Sequence, residues 1–203
     1  MPQGKFHPYE NDVRVPFMIR GPGIAAGSTL PFLGTHVDIM PTLLGLIGGG
    51  DETTNTIPWS MDGSNLAPQL LQKRENDGRS FVIIEYLGLG DVVRYGHLED
   101  THNNTFRALR VLDNTQPPGL RNLKYVEFTD CKTDWNFTGP PMELELFDLD
   151  GDPYEMNNIV SEISPSLLRR FQQILRKMFR CRGDGCRAME KLSLNDSLVA
   201  QLL

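Results

Sequence analysis

The side chains of this 203-residue chain whose types and spacing could do chemistry fall into a few short stretches. Asp148-Leu149-Asp150-Gly151-Asp152 alternates carboxylates as a loop converging on a hard cation would. Its register does not suit a calcium hand. Counted from Asp148, the sixth position is Pro153, where a glycine is needed, and the twelfth is Ile159, where a bidentate glutamate is needed. The stretch therefore reads as an acidic turn leaving a strand. Cys181 and Cys186 bracket a turn-forming Gly183-Asp184-Gly185, a spacing that could close a small disulfide loop. They could also be half of a zinc site, but no second cysteine pair exists, and His7, His36, His97 and His102 all lie far upstream. Cys131 is left odd.

Between Arg169 and Lys191 basic residues greatly outnumber Asp184 and Glu190. Such a patch could hold a sulfated polysaccharide or an anionic membrane surface, or it could be the solvated face of an amphipathic helix. Arg182-Gly183-Asp184 is a tripeptide that arises often by chance and carries no weight as an adhesion ligand. No glycine-rich phosphate loop, Gly-x-Ser-x-Gly or His-Glu-x-x-His occurs, so nucleotide binding, serine hydrolysis and metalloproteolysis lack support.

Composition sets the frame for these residues. Hydrophobic residues make up 39% and charged residues 23%, as in soluble globular domains. A net charge of −6 gives no general reason to meet nucleic acid, and any anion contact must be local. No apolar run is long enough to be a transmembrane segment. The amino terminus, Met1 to Glu10, has no apolar core and no cleavage site of a signal peptide. Three glycosylation sequons nevertheless begin at Asn103, Asn136 and Asn195, and with the cysteine pair they suit a secretory route. The two observations agree if Met1 is an internal methionine of a longer chain.

The elements that must position these residues follow from periodicity. Val15–Arg20 is expected to be a short buried strand ended by Gly21-Pro22-Gly23. A helix should run from Asp38 with Ile39, Leu43, Leu44 and Ile47 on one face, stopped by Gly48-Gly49-Gly50. The charged, unpatterned stretch 73–79 suggests a boundary between a domain at 1–75 and another at 80–203. Phe81–Tyr86, Phe106–Leu112, Leu123–Phe128 and Glu143–Phe147 read as four strands of a small antiparallel sheet. In the last of these, Leu144 and Leu146 should oppose solvated Glu143 and Glu145. Ser164-Pro165 then starts a helix whose Leu167, Leu168, Phe171, Ile174, Leu175, Met178 and Phe179 should pack on the sheet, giving an α+β subdomain.

The series Gly4-Lys5-Phe6-His7-Pro8-Tyr9-Glu10 through Val15-Pro16-Phe17-Met18-Ile19-Arg20-Gly21-Pro22-Gly23 resembles the sulfatase family. Further landmarks follow in family order: Val37-Asp38-Ile39-Met40-Pro41-Thr42-Leu43-Leu44, Met61-Asp62-Gly63-Ser64-Asn65-Leu66, Leu146-Phe147-Asp148-Leu149, Asp152-Pro153-Tyr154-Glu155 and Asn158. Within that family, Asn103-Asn104-Thr105-Phe106, Leu123–Phe128 and the Cys181–Cys186 loop look most like N-acetylglucosamine-6-sulfatases.

The resemblance implies part of an alkaline-phosphatase-like α/β fold with a C-terminal α+β subdomain of antiparallel sheet plus helix. It implies hydrolysis of a sulfate ester, with 6-sulfated N-acetylglucosamine in heparan or keratan-type glycosaminoglycans as the substrate class and an arylsulfatase or a related superfamily hydrolase as the alternative. A third reading, from another class, is a noncatalytic polyanion-binding module. The family's chemistry uses a calcium ion and a formylglycine nucleophile made from the cysteine of a Cys-x-Pro-Ser-Arg motif. None of Cys131, Cys181 and Cys186 stands in that motif, so the chain by itself is expected to be inactive. One catalytic position carries over by resemblance, Lys5, whose ammonium would bind a sulfate oxygen near the leaving group. Glu10 and Arg14 read as a structural pair, and His36 as packed beside a helix start. The complete protein is expected to be lysosomal or secreted.

Overall fold

In a computed structural model, residues 7–48, 58, 60–73, 78–88, 104–130 and 133–194 are described. The chain divides into two compact units, each discontinuous in sequence. The first comprises Met1–Pro16 and Ile83–Leu175, and the second Phe17–Val82 and Arg176–Leu203.

Three short helices precede the sheet: α1 (Glu10–Val13), α2 (Ile39–Ile47), entered through a 3₁₀ turn at His36–Asp38, and α3 (Ala67–Leu70). The strands β1 (Phe81–Tyr86), β2 (Thr105–Leu112), β3 (Asn122–Thr129) and β4 (Glu143–Asp148) lie in that order in one sheet. β2 pairs antiparallel with β3, and β3 with β4. Two helices follow, α4 (Pro165–Met178) and α5 (Asp184–Glu190). All four expected strands and both expected helices are present, and the α+β arrangement of antiparallel sheet plus helix is the one the sequence implies.

The register explains how the first unit buries both faces of its sheet. Phe106 stands opposite Phe128 and Ala108 opposite Val126, and Ile84 and Tyr86 pack against them on one face. On the other, Leu109, Val111, Leu123, Tyr125 and Leu146 are buried, and the Tyr125 ring stacks on Phe171 of α4 at 5.4 Å. Successive side chains alternate between faces, so an eight-residue strand can carry two apolar rows only when both faces are covered. That coverage lets charged residues enter strand interiors as buried pairs. Arg107 and Glu127 are cross-strand neighbours with N–O 2.6 Å, and Phe137 lies 4.4 Å from the guanidinium carbon.

The edge of β4 is satisfied by the chain that follows it. Asn158 Oδ1 accepts from the Leu146 amide at 3.0 Å, its Nδ2 donates to the Leu144 carbonyl at 3.0 Å, and the Ile159 amide donates to the Leu146 carbonyl at 2.9 Å. An edge strand with paired backbone groups offers no template for another chain.

Two expectations fail. Residues 15–20 form no strand, and Val15, Phe17 and Met18 are exposed. The segment pairs with no other described strand, and Pro16 lacks the amide a ladder would need. Glu145 is half-buried rather than solvated, because residues 9 and 10 cover its face of the sheet.

Candidate functional site

The first unit holds a buried polar cluster where the segment after Lys5 meets the sheet. β2 and β3 place Arg110 directly opposite Lys124, with Phe147 of β4 beside Lys124. Two cations facing each other across strands repel, and burial removes the water that would screen them. Two carboxylates compensate. Glu10 lies 3.2 Å from Arg110 Nε and 2.8 Å from Lys124 Nζ, and Glu155 lies 2.7 Å from the same Nζ. The other Glu155 oxygen accepts the Glu10 backbone amide at 2.5 Å. Lys124 thus joins α1 to the turn after β4 while its own side chain is fully buried.

The turn that delivers Glu155 is built by its own aspartates. The Asp152 amide donates to the Asp148 carbonyl, the Glu155 amide to the Asp152 carbonyl, and the Asn157 amide to Asp152 Oδ2 at 2.8 Å. Glu155 itself takes φ +56°, a left-handed conformation that costs a non-glycine residue energy and persists only where the surroundings demand it. Its two carboxylate contacts are that demand. Asp150 reaches back instead to Arg121 Nε at 2.7 Å and Asn122 Nδ2 at 2.8 Å. The alternating carboxylates thus make the acidic turn read from the sequence.

Tyr9 closes the cluster. Its ring meets Phe147 edge-on at 6.1 Å, and its hydroxyl donates to Glu145 Oε1 at 3.2 Å. Burial and the neighbouring Glu145 charge push the Tyr9 phenol up to about 12. Burial also raises the Glu145 carboxyl, and Glu143 and Glu155 add to the rise against the opposing Tyr9 hydrogen bond. Glu10 behaves oppositely. Burial alone would lift it, but Arg110 and Lys124 hold it below the usual carboxylate range. The arrangement is a closed anchor in which Glu10 and Glu155 match Arg110 and Lys124. Its chemical consequence is positional, since it fixes the chain from residue 9 onward.

The second unit contains an analogous anchor. Asp38, fully buried, accepts from Arg79 at 2.7 and 2.9 Å, from the Ser64 amide at 2.8 Å and from the Thr35 amide at 2.7 Å. Burial would raise its carboxyl, but Arg79 and the two amides hold it below the usual range. Arg79 Nε lies 3.1 Å from Glu190, whose backbone carbonyl accepts the Ser80 amide at 2.7 Å. The Thr42 hydroxyl accepts the Leu66 amide at 3.0 Å, so the landmark segments 37–44 and 61–66 are bound to each other. Cys181 and Cys186 are joined in a disulfide with Cα atoms 5.1 Å apart. Their loop docks on the second landmark through the Gly183 amide to Asp62, and through Arg187 to the Met61 carbonyl.

Lys5, Asn103, Asn195 and Cys131 lie outside the described residues. Asn136 is exposed, in a turn where Asp134 accepts from Thr138 and Gly139. His36 begins the 3₁₀ turn but is exposed rather than packed. Glu10 pairs with Arg110 and Lys124, not with Arg14. No group of three or more His, Cys, Asp or Glu side chains that could hold a metal occurs among the described residues. Sequence reasoning missed Arg110 and Lys124. A basic residue between apolar neighbours is the ordinary alternation of a half-exposed strand, so the local pattern held no signal that these two are covered.

No family model matches the chain. An N-acetylglucosamine-6-sulfatase from Capra hircus is 31% identical over 203 residues, covering 92% of this chain and 33% of that protein. The chain is homologous to the C-terminal part of sulfatases. An arylsulfatase from Chlamydomonas reinhardtii is 30% identical over 206 residues, covering 97% of this chain and 30% of that protein. The chain therefore spans about a third of the length of these sulfatase relatives. Among solved structures, yidJ from Bacteroides fragilis, described as a sulfatase, aligns with TM-score 0.45 and 19% identity over 76% of this chain and 26% of its own.

Proposed function

We propose that this chain is the C-terminal part of a sulfatase that hydrolyses sulfate esters, with the 6-sulfate of N-acetylglucosamine in glycosaminoglycans as its substrate. The observation that carries the reading is sequence identity of about 30% to N-acetylglucosamine-6-sulfatases over 92% of the chain. The anchor at Tyr9–Glu10 supports it, because a fixed segment four residues beyond Lys5 is what a lysine acting at a reacting centre requires. In this reading Lys5 donates N–H bonds from its ammonium to a sulfate oxygen and holds its proton while charge develops on the leaving oxygen. Calcium and the formylglycine belong to the remainder of the longer polypeptide, which we place in the lysosome or outside the cell.

The test is sulfate release by that longer polypeptide from N-acetylglucosamine 6-sulfate and from an aryl sulfate. Turnover of the sugar sulfate with little aryl turnover supports the substrate, and the reverse preference assigns an arylsulfatase instead. Lys5→Ala is expected to lower kcat about 100-fold, the usual cost of losing one donor to a developing oxyanion. Near-normal turnover would remove Lys5 from the site.

A further inference from the structure

The C-terminal end of α4 and the loop beyond it carry Arg176, Lys177, Arg180 and Arg182 within seven residues and no acid, in a chain of net charge −6. Arg176, Arg180 and Arg182 are exposed. The helix turns the buried Ile174, Leu175 and Met178 inward and leaves Arg176 on the face away from the core, and Arg180 and Arg182 follow in the exposed chain beyond its end.

Stability of the helix does not account for this grouping. A cation in the last turn gains roughly 0.3–1 kcal/mol from the helix dipole, an effect confined to that turn. Arg176 and Lys177 occupy it, whereas Arg180 and Arg182 lie beyond the helix end at Met178. Among the described residues the two acids of the following segment are engaged elsewhere, Asp184 with Arg187 and Glu190 with the buried Arg79. The disulfide from Cys181 to Cys186 and the Gly183 contact to Asp62 tie down the loop that carries Arg182. The cations are therefore concentrated on a pinned scaffold.

We infer that Arg176, Arg180 and Arg182 form a binding site for a sulfated polysaccharide. Exposed guanidinium groups bind sulfate oxygens through paired N–H donors, and a sulfated polysaccharide carries many sulfates along one chain. An anionic membrane fits less well, because none of the exposed large apolar side chains among the described residues lies beyond Met156, and nothing there would enter a bilayer. Nucleic acid fits less well, because the exposed large aromatic side chains among the described residues, Phe17, Trp135 and Tyr154, lie outside the segment 176–182 and none there would stack on a base. The choice of sulfated sugar as the polyanion rests on the proposed sulfatase function, whereas the anion site rests on the charges alone.

The test uses the 203-residue chain and heparin. Binding at 0.1 M NaCl is expected to weaken with rising salt, and the variant Arg176→Ser, Arg180→Ser, Arg182→Ser should lose at least about tenfold in affinity, with the log–log salt slope falling by about one per cation removed. A control, Arg14→Ser, Arg20→Ser, Arg121→Ser, changes net charge equally and should bind as the parent does. Independently of any variant, heparin should block trypsin cleavage after residues 176–182 and leave cleavage after Arg14 and Arg20 unchanged. Equal losses in the two triple variants, equal binding of desulfated heparin, tighter binding to phosphatidylserine vesicles than to heparin, or no protection from trypsin would each overturn the site. Failure of the sulfatase reading shows differently, as heparin binding without sulfate release from the longer polypeptide.

Discussion

Replacing Lys124 by methionine tests whether the Tyr9–Glu10 anchor rests on the charge relations assigned to it. Methionine keeps most of the stem volume and removes only the ammonium, which lies 2.8 Å from Glu10 and 2.7 Å from Glu155. Glu10 retains Arg110 at 3.2 Å, but the nearly fully buried Glu155 side chain loses its cation. Breaking a buried pair from one side costs about 3–5 kcal/mol, because the remaining charge is left without compensation. For a chain of this size that lowers Tm by roughly 6–20 °C at roughly 2–4 °C per kcal/mol. Urea unfolding at pH 7 measures the loss directly. Adding Glu155→Gln removes the stranded charge while retaining a side-chain carbonyl for the Glu10 amide, so the double variant should be more stable than Lys124→Met alone, with a coupling of about 1–3 kcal/mol. A cost below about 1 kcal/mol for the single variant, or a double variant no more stable than the single, would refute the anchor.

Three further outcomes follow from the same contacts. Glu145 titrates above its unfolded value in the folded state, so its charged form weakens the fold above that folded pKa and the penalty disappears as pH falls through it. Glu145→Gln should therefore stabilise the chain at pH 7 and much less at pH 4, as read by urea midpoints, and an equal effect at both pH values would contradict the burial argument. A Cβ at Gly63 would run into the Val37 backbone carbonyl, which cannot swing aside as a side chain can, so Gly63→Ala should destabilise by about 1–3 kcal/mol in the same assay. Replacing Cys181 and Cys186 together by serine opens a loop with sequence separation 5 and should cost about 2 kcal/mol on the chain-entropy account, visible as the same shift when the parent is reduced.

The sheet and α4 were legible because their apolar residues recur with the periods of strand and helix, and the burial of Phe171, Ile174, Leu175 and Met178 follows that pattern residue for residue. The segment 15–20 has the same apolar character but pairs with no described strand, and pairing is a long-range property that local pattern does not contain. The anchor was illegible for a related reason. Lys124 and Arg110 look like solvated strand residues until the register sets them opposite each other and α1 covers them. Glu145 was misread as solvated on the same ground, since alternation predicts which face a side chain takes but not whether that face is covered. Short helices such as Ala67–Leu70 carry too few residues for a period to show.

The positions that carried the family resemblance have, in the structure, mainly architectural work. Asp38 gathers Arg79, Ser64 and Thr35; Thr42 receives the Leu66 amide; Asn158 closes the edge of β4; Glu155 binds both Lys124 and the Glu10 amide. Asp38, Thr42 and Glu155 are buried polar groups with specific partners, a kind of residue that tolerates few substitutes because a lost partner leaves an uncompensated donor, acceptor or charge. Homology resting on such residues speaks first to shared architecture. Specificity has to come from side chains the architecture presents; in the reading proposed above these are the exposed arginines at 176, 180 and 182 among the described residues, and Lys5 outside them. The two sets make separable demands on experiment. Lys5 answers to turnover, and the arginines answer to salt-dependent binding that needs no turnover at all.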